Sequence, residues 1–316
     1  MKFGYFCNTT NWNHKPYNQL LEETKEITSY CDENNWNSIW YTEHHFNHEG
    51  MESCTNPLMM GVDAAARTKQ IRIGQACNVI TFHNPIRLAE DIALLDQLSG
   101  GRVEVGIGRG IYGREAINMN KEADLKDQAK NFRLFEESLT IMKKAWTEEF
   151  FSHKGEFYTY PSPNFVWQHD MSPPNEDFID LKTNQIKKIS VIPQPYQKPH
   201  PPLWVACSNI QTIGQAGQWG MGALGFTFIS LEAAKAWVHR YYNNFLHHPV
   251  RLADYRTNPN IAMVSGFMCA ETDEEAREKA DGWTFFIFCL EYNGTHNYEP
   301  GTVDLWSEYQ DWRSGD

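Results

Sequence analysis

Short apolar runs and amphipathic stretches alternate along this chain, and that alternation restricts its fold more than any other feature. Seven runs read as strands: Lys2–Cys7, Ser38–Thr42, Ile71–Ile80, Val103–Ile107, Leu203–Ala206, Ala223–Phe228 and Ile261–Cys269. Helical patterns lie between them. From Pro16 to Asn34, residues Leu20, Thr24, Ile27 and Cys31 share one face, with a polar stop at Asp32-Glu33-Asn34. A second helix runs from about Pro57 to Thr68, where Gly61, Ala64, Ala65 and Ala66 would let another helix approach closely. Pro85 opens a third at the first-turn position that proline tolerates, and Gly100-Gly101 ends it. Phe132, Phe135, Leu139, Met142 and Trp146 then repeat at spacings of 3 and 4, a core-facing stripe. Thr212–Trp219 and Leu231–Phe245 are further helices, and Thr272 with Glu275 makes a capping box for the last clear one. Strands and helices in this order build an α/β fold whose parallel sheet has right-handed crossovers.

Closing such a sheet into a barrel needs an eighth strand, and none is legible after Tyr292. Either the chain ends before that strand or an irregular segment closes the barrel. Between Glu149 and Pro202 the alternation breaks, and prolines recur among aromatics without helical period. Such a stretch is a lid, a binding insertion or a disordered loop. The expected organisation is therefore one domain over 1–316 with an insertion at about 150–202, a size that α/β barrels reach as single units.

Lys and Arg total 28 against 40 Asp and Glu, a formal net charge of −12 without any basic cluster. That argues against nucleic acid as a partner and favours a small-molecule ligand. The 7 cysteines are scattered and never spaced as CxxC, so neither a disulfide framework nor a zinc knuckle is expected. A reducing cytoplasm is the natural compartment. Asn8 interrupts the N-terminal apolar run too soon for a signal peptide. No run approaches the ~20 apolar residues of a membrane span.

Chemistry concentrates where strands end. Glu43-His44-His45-Phe46 follows the Ser38–Thr42 run and sets two imidazoles beside a carboxylate. One histidine there has the bland reading of a satisfied core or interface group. The other is a candidate general acid/base, since imidazole titrates near neutrality. His48, Glu43 and Glu49 could suggest a metal, but the spacing lacks HExxH geometry and no metal site is expected. After Val103–Ile107 comes Gly108-Arg-Gly110-Ile-Tyr-Gly113, which satisfies GxGxxG. A dinucleotide fold also requires an acidic residue at the end of the next strand, ~20 positions on. Here Asp124 and Asp127 fall in helical sequence, so that reading fails and Arg109 becomes an anion-binding candidate. Ser208 and Thr212, ahead of a helix, are either N-caps or part of an anion site. Cys207 carries no local signature of a nucleophile.

Several of these segments resemble, in order and at matching spacing, the bacterial luciferase-like flavin monooxygenases. They are Glu43-His44-His45-Phe46, Gly74-Gln-Ala76-Cys77-Asn78, His83-Asn-Pro85-Ile-Arg87-Leu-Ala-Glu90-Asp91, Leu95-Asp96-Gln97-Leu98-Ser-Gly-Gly-Arg102 and Gly106-Ile-Gly108-Arg109-Gly110-Ile111-Tyr112. The similarity returns at Pro193-Gln-Pro and His200-Pro-Pro-Leu-Trp-Val-Ala, and is weakest from Phe165 to Ile189 and after about Asp281. The resemblance implies a (β/α)8 TIM barrel that binds reduced FMN at the carboxyl ends of its strands and uses O2 as co-substrate. A peroxyflavin would oxygenate an aldehyde- or ketone-like compound, and a separate flavin reductase would supply the cofactor.

Carried onto this chain, the resemblance makes Arg109 the phosphate-gripping residue, assisted by Ser208 and Thr212. Ala76-Cys77 matches a non-proline cis peptide against the flavin, and Phe6 and Ile111 match residues near its ring. His44 matches the catalytic imidazole. His45 and Glu90 match the subunit interface of a homodimer or related heterodimer, formed through helices 57–68 and 85–98. Two departures stand out: Cys207 replaces a frequent glutamate, and Gly108 stands where luciferase has a reactive cysteine. Trp12, Phe226, Phe228 and the insertion are candidate pocket walls by position alone. The same barrel type also hosts deazaflavin-dependent hydride transfer, and an incomplete barrel could be a non-catalytic flavin-binding protein.

Overall fold

The computed structural model describes residues 1–11, 13–48, 50, 52–168, 171, 174–226, 231–253, 256–266, 268–296 and 302–315, with backbone alone at 282, 283, 286, 290, 291 and 293–295. The chain forms two compact units, one of residues 1–225 and 235–262, the other of 226–234 and 263–316.

In the first unit strands and helices alternate as the sequence pattern requires. In order they are β1 (Gly4–Cys7), α1 (Tyr17–Glu33), β2 (Ser38–Tyr41), α2 (Pro57–Arg67), β3 (Arg72–Gln75), β4 (Asn78–Val79), α3 (Pro85–Leu98) and β5 (Val103–Gly108). Next come α4 (Gly113–Met119), α5 (Gln128–Thr147), β6 (His153–Lys154), β7 (Thr159–Tyr160), β8 (Leu203–Ala206), α6 (Ile210–Trp219) and β9 (Gly222–Phe226). The last residue of β9, Phe226, belongs to the second unit, and α7 (Leu231–His247) and β10 (Ile261–Val264) each have residues in both. α2 and α3 start with the same device: Asn56 and Asn84 each accept two backbone N–H groups of the first turn, and proline stands at its first position.

The sheet runs β1-β2-β3-β5-β8-β9-β10, with β4 added beside β5. Each of the pairings from β1 through β9 is parallel. It is a (β/α) barrel sheet with one seam: among the described residues no pairing joins β10 to β1. The helix-facing side of the strands is continuous apolar core, with Ile39, Ile73, Val103, Val105, Ile107 and Leu203 fully buried. The opposite side alternates very large with very small residues. Trp40 pairs in register with Gly74, and Trp204 with Gly222. A Cβ on Gly74 would lie 2.2 Å from the Trp40 ring, and one on Gly222 2.3 Å from the Trp204 ring. The two indoles meet edge to face at 5.3 Å, and their N–H groups donate to Ser38 and Glu104. Glu104 also pairs with Arg72. Tryptophans set against glycines thus fill the barrel interior, leaving chemistry to the strand ends.

Several expected elements are corrected. The run Ile71–Ile80 is not one strand. It breaks at Ala76-Cys77, a cis peptide, after which Asn78 and Val79 pair with Ile107 and Gly108. β10 stops at Val264, where Ser265-Gly266 follows, instead of reaching Cys269. α6 begins at Ile210, two residues before the expected Thr212, because Asn209 caps it. α4 was not legible as a separate helix, being short and ended at Asn120. The insertion holds the antiparallel ribbon β6–β7 and isolated bridges such as Phe151–Ile189. Phe151 and Ile179 there are fully buried, so part of this stretch is ordered by packing despite its prolines.

The second unit contains α8 (Asp273–Thr295) and α9 (Leu305–Ser314). Thr272 caps α8 by accepting the Glu275 N–H, while the Glu275 carboxylate reaches the Glu271 N–H; the capping box is only half formed. α9, absent from the sequence reading, packs through Tyr309, Trp306 and Trp312 against Phe285 and Phe288. No helix among the described residues is long and apolar enough to cross a membrane.

The glycine–tryptophan packing makes a direct prediction. Gly74→Ala should cost about 1–3 kcal/mol, because the Trp40 ring has nowhere to retreat. Urea unfolding measures it, and an unchanged midpoint would mean the indole is loosely held.

Candidate active site

Glu43 follows β2 and is 2% exposed, an unusual place for a carboxylate. It is stable there because three donors converge on it. Its Oε2 accepts the Val79 N–H at 2.7 Å, and its Oε1 faces His83 Nε2 at 2.7 Å and His45 Nε2 at 3.1 Å. Burial alone would push this carboxyl up, yet the His45 and His83 hydrogen bonds, the His83 charge and the Val79 N–H together hold it low. Burial lowers His83, and contact with Glu43 more than reverses that, so the imidazole ends up raised. The exits of β2 and β4 and the entry to α3 are thereby tied to one buried charge.

His44 points the other way. Its Nδ1 lies 3.4 Å from Glu115 Oε1 and its Nε2 3.3 Å from Glu52 Oε1. Glu115 belongs to the first turn of α4 and also accepts the His45 backbone N–H at 2.7 Å. The glycine-rich exit of β5 therefore delivers a carboxylate to the histidine pair. Tyr112 stacks obliquely on His44 at 5.5 Å between ring centres. Burial, then the neighbouring Glu52 carboxylate, pushes the Tyr112 hydroxyl far up, so it stays protonated. A cleft of about 250 Å³ opens beside His44, lined also by His14, Tyr17, Asn47, His48 and Glu52.

Arg109 leaves β5 half-buried. Its guanidinium meets only neutral oxygens, Gln128 Oε1 at 3.3 Å and Asn131 Oδ1 at 3.4 Å, and lies 5.5 Å above the Phe132 ring. Among the described residues no carboxylate neutralises it. β8 is the neighbouring strand, Ile107 pairing with Val205, so the α6 entry lies beside the Arg109 exit. There Ser208 is exposed, while the Thr212 hydroxyl is occupied by the cap, accepting the Ser208 and Asn209 N–H groups and donating to Asn209 O. An unneutralised cation beside a helix N-terminus is suited to an anion.

Phe6 is half-buried on β1 and, from its register with Trp40, faces the barrel interior. Ala76 and Cys77 are partly exposed at the β3 exit, and Ile111 is 67% exposed. Gly108 is bare for a reason visible here: a Cβ on it would lie 2.4 Å from Cys77 Sγ. Burial pushes the Cys77 and Cys207 thiols up to about 12 each, so neither is a ready thiolate. Among the candidate pocket residues, Trp12 and Phe228 lie outside the described residues and Phe226 is 41% exposed. Glu52, His83 and Glu115 were missed by sequence reasoning. Their only common signal is the one that Glu43 shares, an ionisable residue in a segment that leaves or enters a barrel strand.

The profile of the luciferase-like monooxygenase family matches residues 1–310, and the chain belongs to that family, whose members are oxidoreductases. Among relatives, the oxygenase component of a flavin-dependent trigonelline monooxygenase from Acinetobacter baylyi is 26% identical over 287 residues, covering 90% of this chain and 70% of the relative. An alkanal monooxygenase beta chain from Photorhabdus luminescens is 28% identical over 309 residues, covering 98% and 83%. The fold is that of the oxygenating constituent of 3,6-diketocamphane monooxygenase from Pseudomonas putida, solved with FMN, at TM-score 0.72, 21% identity and 92% and 75% coverage. It is also that of the monooxygenase RslO1 from Streptomyces bottropensis, at TM-score 0.71, 24% identity and 91% and 77% coverage.

The Glu43 cluster has a pH signature. Its carboxyl is held below the usual 4.5, so its contribution to stability is full above that pH and lost as pH falls through the depressed value. His83 is held above 6.5, so its contribution is full below that pH and lost as pH rises through the elevated one. Glu43→Gln should therefore cost roughly 1–3 kcal/mol. Thermal melts should show the gap to wild type widest between those two pH values, narrowing on either side. A gap independent of pH would contradict the pairing.

Proposed function

We propose that this chain is the oxygenase of a two-component flavin-dependent monooxygenase, acting on a small aldehyde- or ketone-like compound. The observation that carries the reading is Arg109, a half-buried guanidinium at a strand mouth with no carboxylate partner among the described residues. An FMN phosphate would supply the negative charge that suits this guanidinium, and the residues present fit the group. Arg109 would hold the phosphate with Ser208 and the α6 entry, Thr212 keeping that entry in shape. Phe6, the Ala76-Cys77 edge and Ile111 would border the ring. Reduced FMN, when bound, supplies the electrons by which one oxygen atom of O2 enters the substrate and the other leaves as water.

The protein's own contribution is to bind, orient and protonate. His44 holds or moves a proton at the substrate oxygen, and the buried Glu43 fixes the loop that carries it. Tyr158–Pro202 would limit water at the strand mouths. A relative named as an oxygenase component supports a separate flavin reductase as partner. Exposed Met59 and Val62 on α2 and Leu94 and Leu98 on α3 support pairing with a second, related chain.

His44→Ala should leave reduced-FMN binding intact and cut product yield from an aldehyde and ketone panel by roughly 10²-fold or more. Unchanged yield would remove His44 from the mechanism. Under nitrogen the wild-type protein should be silent with either flavin; turnover with a deazaflavin there would point to hydride transfer instead.

A further inference from the structure

We infer that Asn131, with Gln128 one turn before it, is the mounting of Arg109: a pair of neutral amides on α5 that fixes where the guanidinium points without consuming its charge. The inference rests on Arg109 being the phosphate grip. Asn131 and Gln128 act through it and are positioning residues.

Asn131 is fully buried at the fourth position of α5, where an asparagine side chain competes with the helix backbone. Both of its polar atoms are engaged at the exit of β5. Its Nδ2 donates to Arg109 O at 3.3 Å and to Ala123 O at 3.0 Å, and its Oδ1 accepts from Arg109 Nη1 at 3.4 Å. One side chain thus holds the backbone and the guanidinium of the same arginine. The buried Thr81 hydroxyl is a second donor to Arg109 O, at 3.2 Å. Gln128 sets its Oε1 3.3 Å from Nη1, while its Nε2 is tied back to Leu125 O at 2.8 Å. Gln128, Asn131 and Phe132 are spaced i, i+3 and i+4, so one face of α5 presents two amide oxygens and a ring to the guanidinium.

Two features of this mounting suit an anion. Both contacts are made through Nη1, and among the described residues Nε and Nη2 make no hydrogen bond. Those two nitrogens form the side-on edge with which a guanidinium meets a phosphate bidentately. The oxygens holding Nη1 are also neutral. Aspartate or glutamate at 128 or 131 would bind the same nitrogen more strongly, but would cancel the charge that attracts an anion. The bonds from Asn131 to the two carbonyls would by themselves order the loop. The bond to Nη1 is the part that directs the side chain.

The test is equilibrium binding of reduced FMN and of reduced riboflavin to the whole chain under nitrogen. The readout is the ratio of the two affinities, the preference for FMN, which a general loosening of the fold leaves unmoved because both flavins suffer alike. In Asn131→Ala the guanidinium loses its direction, and the preference should fall at least about fivefold while riboflavin affinity stays within about twofold. Gln128→Glu changes an exposed residue and should cut the preference about tenfold at low ionic strength and less at high salt, because a carboxylate then takes up the charge. Circular dichroism checks that each variant is folded; if Asn131→Ala is not, Gln128→Glu decides alone. A wild-type preference retained in either folded variant would overturn the inference. An equal loss of affinity for both flavins would do the same, making Asn131 a strut of the loop. Failure of the phosphate reading shows differently: wild type would bind the two flavins alike, Arg109→Met would change neither, and the inference would fall with it.

Discussion

One buried negative charge organises the mouth of this barrel. Glu43 has water replaced by the Val79 N–H and the His45 and His83 rings, which come from separate stretches of chain. Each donor is obliged to stay, because a carboxylate stripped of its donors in that place would be expensive. The consequence is geometric: with His45 turned inward to Glu43, the adjacent His44 is turned toward Glu52 and Glu115. Two neighbouring imidazoles thus have different surroundings, one held on the buried Glu43 and one beside a cleft.

Beneath that mouth the barrel is solid. Trp40 and Trp204, each set against a glycine, fill the interior and bury their N–H groups on Ser38 and Glu104. Above them, at the strand ends, Arg109, Ala76-Cys77 and the α6 entry stand on neighbouring strands. Gly108 is matched to Cys77, whose sulfur fills the space that a side chain at position 108 would take. The site is built around a bulkier β3 exit and a barer β5 exit.

Much of the architecture was legible because strands and helices declare themselves locally. The apolar runs at Ser38–Tyr41 and Leu203–Ala206 and the Asn-Pro starts of α2 and α3 need no tertiary information. What stayed hidden depends on partners far away in sequence. The run Ile71–Ile80 taken by itself shows no break, since no proline or glycine marks Ala76-Cys77; only the family resemblance pointed to the cis peptide there, which the structure has. The strand exits that carry His44 and Arg109 are recognisable in the sequence, while the choice of His44 over His45 came from the family resemblance. Glu52, Glu115 and His83 were not legible there, because a lone acid or imidazole in a loop or a short helix carries no period and reads as solvated surface. Only the fold brings Glu115 next to a histidine some seventy positions away.

The whole reading depends on the strand mouths being an anion-anchored flavin site. Equilibrium titration of reduced FMN, under nitrogen, against wild type and Arg109→Met tests this most directly. Loss of one charge-assisted phosphate contact should weaken binding about tenfold to a hundredfold, with FMN and riboflavin then binding alike. Equal FMN affinity in the two proteins would contradict the assignment, because the guanidinium would then face something other than the phosphate.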